Sequence, residues 1–132
     1  MLKYLEERKV RLVYTPLVIY WFILLGATSF PTHSVPSFGV SDKLLHSAAY
    51  FGLGVLLNLT FVFQNKYSFF KKQSAWYTIL IGSLYGIMDE FHQHFVPGRS
   101  MEFLDFAADF IGLVLAVVLV ILLMRTSDFV PK

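Results

Sequence analysis

The chain has 132 residues, of which 56% are hydrophobic and only 15% are charged. Soluble domains carry about 25% charged residues, and a soluble domain this small could not hide so much apolar surface from water. The composition therefore predicts one membrane domain spanning residues 1–132. A net charge of +2 without a basic patch excludes a nucleic-acid-binding protein. The absence of cysteine excludes disulfides, thiolate metal sites and a cysteine nucleophile.

Four apolar stretches are long enough to cross a hydrocarbon core of roughly 30 Å, which takes about 20 residues. They lie near residues 12–30, 44–63, 75–95 and 103–124. The connections between them are short, so consecutive helices should be antiparallel neighbours. Residues 31–39 are expected to form a loop and residues 96–100 a tight turn around Pro97-Gly98. The predicted fold class is an all-α membrane protein with four transmembrane helices in an antiparallel bundle.

The charge distribution predicts how the bundle is oriented. Nine of the eleven lysines and arginines lie before the first span, between the second and third spans, or after the fourth. Basic residues in short flanking segments stay in the cytoplasm. Both termini are therefore expected to be cytoplasmic. The first span should be an uncleaved helix, because it is longer than the apolar run of a signal peptide and lacks a clean A-x-A cleavage site.

Polar residues gather at the outer ends of the second, third and fourth spans. A rise of about 1.5 Å per residue puts His46, Asp89 and Asp109 at one level, roughly 21–25 Å above the cytoplasmic ends of their helices. Gly82 and Gly86 should let a neighbouring helix approach the third span closely. The polar set comprises Asp42, Lys43, His46, Asp89, Glu90, His92, Gln93, His94, Arg99, Glu102, Asp105 and Asp109.

Ionisable groups inside a membrane span usually face the bundle and take part in function. A histidine beside carboxylates can act as a general base, and arginine suits phosphate. A purely structural polar network is the alternative interpretation, with Asp105 facing the N-terminal dipole of its helix. We predict catalytic roles for His46, Asp89, Glu90 and Asp109, and ligand-binding roles for Asp42, Lys43, Gln93, Arg99 and Asp105.

No cofactor is predicted, and the metal content is left open. The carboxylates, together with His46 or His92, could hold a divalent cation. The sequence contains no Ser-His-Asp order, no P-loop and no HExxH motif.

Three sequence blocks resemble the VanZ-like family over about residues 10–124. Residues 42–54 resemble its D-K-x-x-H-x-x-x-Y-x-x-L-G signature, and residues 86–100 resemble its G-x-x-D-E-x-x-Q-x-x-x-P-x-R-x block. Asp105, Asp109 and Gly112 match its D-x-x-x-N/D-x-x-G ending, with Asp109 standing where many relatives have asparagine.

The resemblance implies a multi-pass protein of the bacterial cell membrane and envelope, linked to resistance to teicoplanin, a lipid-tailed glycopeptide. It supplies no reaction, so whether the chain is an enzyme stays open. The first hypothesis is a site that binds, and may alter, an anionic amphiphile in the outer leaflet. The partners expected are membrane lipids and a lipid-linked envelope precursor or lipoglycopeptide, without nucleic acid; a homo-oligomer is left open. The alternative is a non-enzymatic membrane module, either a small proton-linked transporter or a partner subunit.

Overall fold

The computed structural model describes residues 1–31 and 41–127, and all regular secondary structure in these ranges is helical. Most of the loop expected at residues 31–39 lies outside the described residues. The predicted turn is present, with Gly98 at a φ of 78°. The helices are α1 (Leu2–Glu7), a π-helical segment (Val10–Tyr14), α2 (Thr15–Ser29), α3 (Asp42–Phe63), α4 (Ser68–Lys72), α5 (Ser74–Gln93) and α6 (Phe103–Thr126).

Three of these helical segments are long and apolar enough to cross a membrane: Val10–Ser29, Asp42–Phe63 and Phe103–Thr126. The predicted third span corresponds to α5, which has 20 residues but carries more polar side chains than the other three. The all-α class is therefore confirmed, with three candidate membrane spans. The fourth span and the orientation of the termini stay predictions.

The surface of the helices is apolar, whereas several polar side chains lie inside. Buried polar residues include Asn58 and Thr78, and Asn58 Nδ2 donates to Thr78 Oγ1 over 3.0 Å between α3 and α5. A soluble monomer rarely exposes so large a continuous apolar surface, so this surface belongs in lipid. Exposed apolar residues of α2 and α6 include Val18, Phe22, Ile23, Ile111, Leu115, Val118 and Leu122.

Helices α3 and α6 run parallel and form the most extensive interface of the bundle. Two glycines allow it: a Cβ on Gly54 would lie 2.7 Å from the Cβ of Ala116, and a Cβ on Gly112 would overlap the Ser47 carbonyl oxygen. Helix α5 packs antiparallel to both, and Gly82 leaves room there for the side chain of Leu113. The close approach predicted at Gly82 is thus present.

The N-terminal segment closes the end of the bundle where α3 stops. Leu2 and Val13 are buried there against Val62, Phe63 and other apolar residues. Lys9 Nζ donates a hydrogen bond to the Phe63 carbonyl oxygen, which lies at the C-terminus of α3, where cations are favoured. The opposite end, where α3 and α6 begin and α5 ends, carries the polar residues.

The contact at Gly112 can be tested by substitution. Because an added Cβ would meet backbone atoms of α3, including Phe51 N at 2.8 Å, Gly112→Ala should force α3 and α6 apart. We expect the free energy of unfolding to fall by about 1–3 kcal/mol, the usual cost of overpacking. Unfolding of the purified protein in detergent would measure it. Gly26→Ala is the matched control, since nothing lies within 4 Å of its added Cβ; equal losses in both variants would contradict the interpretation.

Candidate functional site

The centre of the polar end is a hydrogen bond between α3 and α6. His46 lies one turn inside the start of α3, and Asp109 lies almost two turns inside α6. His46 Nδ1 and Asp109 Oδ1 are 2.9 Å apart, and both residues are buried. A carboxylate only accepts hydrogen bonds. The imidazole therefore donates from Nδ1, which leaves Nε2 as its basic nitrogen when the ring is neutral.

Glu90 brings α5 to the same point. Its Oε2 accepts a hydrogen bond of 3.0 Å from the backbone N–H of Glu102, just before α6 begins. Its Oε1 is buried and has no hydrogen-bond partner among the described residues. One potential ligand atom each from His46, Glu90 and Asp109 lies within 4.8 Å of the others. The structure thus brings these three predicted residues together, while their catalytic roles stay predictions.

Asp89 is buried on a different side of α5, as the 100° spacing of neighbouring helical residues requires. It lines a cavity of about 190 Å³ that also contacts Thr28, His46 and Tyr50. Gln93 Nε2 is 3.4 Å from Asp89 Oδ2, which is a long hydrogen bond. Asp89 Oδ1 and the Tyr50 hydroxyl are buried without a partner among the described residues. Asp89 therefore faces His46 across a small cavity.

Arg99 connects the turn at residues 96–100 to the end of α2. Its Nε donates to the Phe30 carbonyl over 2.9 Å, and its Nη2 donates to the Ala27 carbonyl over 3.1 Å. Carbonyls at a helix C-terminus lack intrahelical partners, and here the guanidinium of Arg99 provides the missing hydrogen-bond donors. Its Nη1 also donates to Gln93 Oε1 over 2.9 Å. Arg99 thereby orients the amide that faces Asp89, and its anion-binding role stays a prediction.

Lys43 forms the rim of the site together with two carboxylates, Glu102 and Asp105. Its Nζ lies 2.6 Å from Glu102 Oε2 and 2.6 Å from Asp105 Oδ1. Asp42 is exposed at the start of α3 and lines a polar cavity of about 360 Å³ together with Arg99, Glu102 and Asp105. The predicted ligand-binding residues thus surround the mouth of the site, directly outside the buried group.

Two further histidines, His92 in α5 and His94 directly after it, lie outside the cluster. His92 Nε2 is 3.0 Å from the Ser29 hydroxyl, at the end of α2. His94 is exposed, and it lines a groove between α5 and α6. The proposed pairing of His92 with the carboxylates in a cation site is therefore not supported by its position.

This groove is a feature that no sequence motif indicated. It has a volume of about 790 Å³, and apolar residues form most of its wall. Glu90 and Glu102 are among its lining residues, and Glu90 also lies beside His46 and Asp109 in the buried cluster. The apolar wall consists of Ile87, Met101, Phe103 and Phe106.

Carboxylates outnumber cations at this end of the bundle. The carboxylates are six in number among the described residues, whereas the cations are Lys43 and Arg99, joined by His46, His92 and His94 only when these are protonated. A buried carboxylate without a partner costs several kcal/mol unless a proton or a cation neutralises it. The arrangement is thus suited to accept protons or cations. The six are Asp42, Asp89, Glu90, Glu102, Asp105 and Asp109.

The ion pair between Lys43 and Glu102 predicts that the stability of the protein depends on pH. The hydrogen bond from Lys43 lowers the pKa of Glu102 below its ordinary value, which is about 4.3. Stability from this pair is therefore present at neutral pH and is lost as the pH falls through the lowered pKa. In Lys43→Gln the pKa of Glu102 should return toward its ordinary value. A carbon-13 NMR titration of the Glu102 carboxyl group in detergent would measure it. Lys66→Gln, at the opposite end, should leave it unchanged; an unaltered pKa in Lys43→Gln would contradict the pairing.

Comparison with known proteins agrees with this arrangement. The model of the family described as VanZ/LLP1 matches residues 8–124, which include α2, α3, α5 and nearly all of α6. Neither the curated proteins nor the solved structures include a significant match. Because the family match covers most of the sequence, including every residue of the polar cluster, the chain belongs to the VanZ/LLP1 family.

Proposed function

We propose that this membrane protein binds an anionic, lipid-tailed molecule of the bacterial cell envelope and carries acid–base groups able to act on its headgroup. The single observation that carries the proposal is the apolar groove between α5 and α6, which is lined in part by Glu90, a neighbour of the buried His46–Asp109 pair. A lipid tail would lie in the groove, and the headgroup would lie among the polar residues. A lipid-linked wall precursor or a lipoglycopeptide of the teicoplanin type fits this description.

The proposal places α5 in the membrane as a fourth span. Its 20 residues would reach about 30 Å, which is the thickness of a hydrocarbon core. Its polar residues are turned into the bundle, where Thr78, Asp89 and Glu90 are buried. Its exposed large side chains are apolar: Trp76, Leu80, Leu84, Ile87, Met88 and Phe91.

The proposal also places the polar end at the outer face of the cytoplasmic membrane, with both termini in the cytoplasm. Of the described basic residues, only Lys43 and Arg99 lie at the polar end. The others lie before α2, between α3 and α5, or at the end of α6, and basic flanking residues favour the cytoplasmic side. Lys9 contacts the end of α3. This contact supports placing the segment before α2 and the connection after α3 on the same side of the membrane.

Labelling of single cysteines tests the orientation. Ser100→Cys, in the turn before α6, should react with a membrane-impermeant thiol reagent in intact cells. Ser68→Cys, in α4, should react only after the cells are opened. Because the natural chain has no cysteine, it is the background control. The reverse pattern would put the site in the cytoplasm and overturn the outer-leaflet part of the proposal.

Two cations at the mouth support an anionic headgroup. A guanidinium has five N–H donors, and Arg99 uses three of them on Ala27, Phe30 and Gln93. The remaining donors, together with Lys43, are available to phosphate or carboxylate oxygens. In this proposal Asp42 and Asp105 border the headgroup, and Gln93 positions Asp89.

The acid–base part depends on His46. Asp109 accepts a hydrogen bond from the Nδ1–H of His46. This bond would hold the ring in one tautomer, with Nε2 as the base. Asp89 lies in the adjoining cavity, where it would exchange a proton with the headgroup or with His46. Glu90 stands between this pair and the groove.

Envelope function can be tested in cells. His46→Gln and Asp89→Asn keep size and most hydrogen bonding but remove the proton-exchanging group. We expect both variants to lose tolerance of teicoplanin in a host that depends on this protein, while the protein still accumulates. Glu7→Gln, an exposed residue at the other end, is the control and should keep tolerance. Full tolerance in both site variants would refute the proposal, as would a loss that merely tracks a loss of protein.

Direct binding gives a second test. The purified protein would be titrated in detergent with a long-chain polyprenyl phosphate and with the neutral polyprenol of the same length. Charge-assisted hydrogen bonds are worth about 1.5–3 kcal/mol, so the phosphate should bind about tenfold tighter or more. In Arg99→Lys the difference should shrink, because lysine lacks the planar fork of donors. Equal affinity for the two lipids would contradict an anionic headgroup.

A non-enzymatic module is the second candidate. Asp89, Glu90 and Asp109 each have a buried oxygen without a described partner, and buried membrane carboxylates also serve as proton-binding groups in transport. Mass spectrometry of the lipid after incubation separates the two candidates. An altered headgroup would support an enzyme, whereas an unaltered one would favour a transporter or partner subunit.

A further inference from the structure

We propose that His46, Glu90 and Asp109 bind one divalent metal ion of the type that accepts mixed nitrogen and oxygen ligands, such as Zn²⁺ or Mn²⁺. The three residues come from α3, α5 and α6, and all three are buried. One potential ligand atom from each lies within 4.8 Å of the other two. An ion here would join the three helices at the polar end.

The spacing of the ligand atoms fits one coordination shell. Zinc binds nitrogen and oxygen ligands at about 2.0–2.2 Å, so two ligand atoms of one ion can be at most about 4.4 Å apart. His46 Nδ1 and Asp109 Oδ1, at 2.9 Å, lie within that limit. Coordination through Nδ1 would replace this hydrogen bond, with the ring proton carried on Nε2 instead. The 4.8 Å within which all three ligand atoms lie exceeds this limit by only about 0.4 Å.

Unpaired oxygens provide an independent reason for the ion. Glu90 Oε1 and Asp109 Oδ2 are buried and have no hydrogen-bond partner among the described residues. The two residues are only 2% and 1% exposed. Leaving such groups unpaired is costly, and a cation bound between them would remove that cost.

Within the described residues, no lysine or arginine pairs with Glu90 or Asp109. Lys43 is held by Glu102 and Asp105 at the rim. The three hydrogen bonds of Arg99 go to α2 and to Gln93. A protonated His46 would neutralise Asp109, which it contacts at 2.9 Å, but not Glu90 as well. A metal ion held by all three residues would neutralise both carboxylates.

The ligand types select the class of metal. Imidazole favours zinc and other transition metals, whereas calcium and magnesium prefer shells of oxygen alone. A second group, Asp42, His46 and Asp105, has the same spacing. It is the weaker candidate because Asp42 is exposed and Asp105 already pairs with Lys43. Since both groups would use His46, we assign the ion to the buried one.

The ion would deepen the proposed function, and this consequence rests on that function. Three protein ligands leave at least one coordination position open to an oxygen of the headgroup or to water. The ion would also supply the positive charge that an acidic site needs in order to hold an anion. In the metal-bound form His46 would hold the ion in place of the base role proposed above, and the proton-exchanging role would fall to Asp89 in the adjoining cavity.

Metal binding can be measured without any amphiphile. The full chain would be purified in detergent without a histidine tag, treated with a chelator, and titrated with Zn²⁺, Mn²⁺ and Mg²⁺ by calorimetry. We expect one Zn²⁺ or Mn²⁺ per chain, with much weaker binding of Mg²⁺ and a rise in melting temperature on saturation. No saturable binding, or binding that favours Mg²⁺, would overturn the proposal.

Substitutions locate the ion. His46→Gln, Glu90→Gln and Asp109→Asn should each weaken binding by at least about tenfold, since even outer-shell partners of a metal are worth about 10–100-fold. His92→Gln and His94→Gln are the matched controls and should bind as tightly as the natural chain. Because a ligand variant could misfold, electron paramagnetic resonance of Mn²⁺ bound to the unaltered protein, displaced by Zn²⁺, gives a second measurement. Affinity unchanged in all three ligand variants, or lost equally in the controls, would overturn the assignment.

The two proposals can fail separately. Polyprenyl phosphate binding that persists in metal-free protein, without one-to-one metal binding, would overturn the metal site and leave the proposed function standing. One-to-one metal binding without any preference for the phosphate lipid would support the metal site and overturn the proposed ligand.

Discussion

A polar group surrounded by hydrocarbon must find its partner inside the protein, and this constraint organises the whole bundle. Apolar side chains can face outward at no cost in lipid. The polar residues of α3, α5 and α6 therefore turn toward one another: Asn58 meets Thr78 in one half, and His46 meets Asp109 in the other. Glycine at position 112 lets α3 and α6 approach closely. The need to pair polar groups inside the bundle thus accounts both for the buried cluster and for the close packing of α3 and α6.

The sequence predicted the long helices well, because each is dominated by one strong signal. An apolar run of spanning length allows few other structures, and the predicted spans end within a few residues of the observed helices. The short helices α1 and α4 carry no such signal. Helix α5 is different, because polar residues such as Asp89 and Glu90 lower its overall apolarity although their side chains face inward. Composition measures how polar a helix is, but it does not measure which side is polar.

The common level of His46, Asp89 and Asp109 followed from the helical rise alone, and the separation of Asp89 from Glu90 followed from the helical period. The partners of Arg99 and Glu90 could not be predicted in the same way. Arg99 donates to the carbonyls of Ala27 and Phe30, and Glu90 accepts from a backbone N–H. Every residue carries these backbone groups, so they leave no mark in a sequence pattern. The groove was missed for a related reason, because its wall is made of ordinary apolar residues brought together by packing.

The balance of charge links the polar cluster to its proposed ligand. An anion brought to a site with six carboxylates would be repelled unless some of them were neutralised. Lys43 neutralises part of the rim charge through Glu102 and Asp105, but Glu90 and Asp109 lie deeper, where no described lysine or arginine pairs with them. A proton would remove one charge there, whereas a divalent ion would remove two and would also offer a coordination position to the headgroup. The proposed anionic ligand and the proposed metal ion would therefore be complementary: the ion would make the acidic site attractive to the ligand, and the ligand would complete the coordination of the ion.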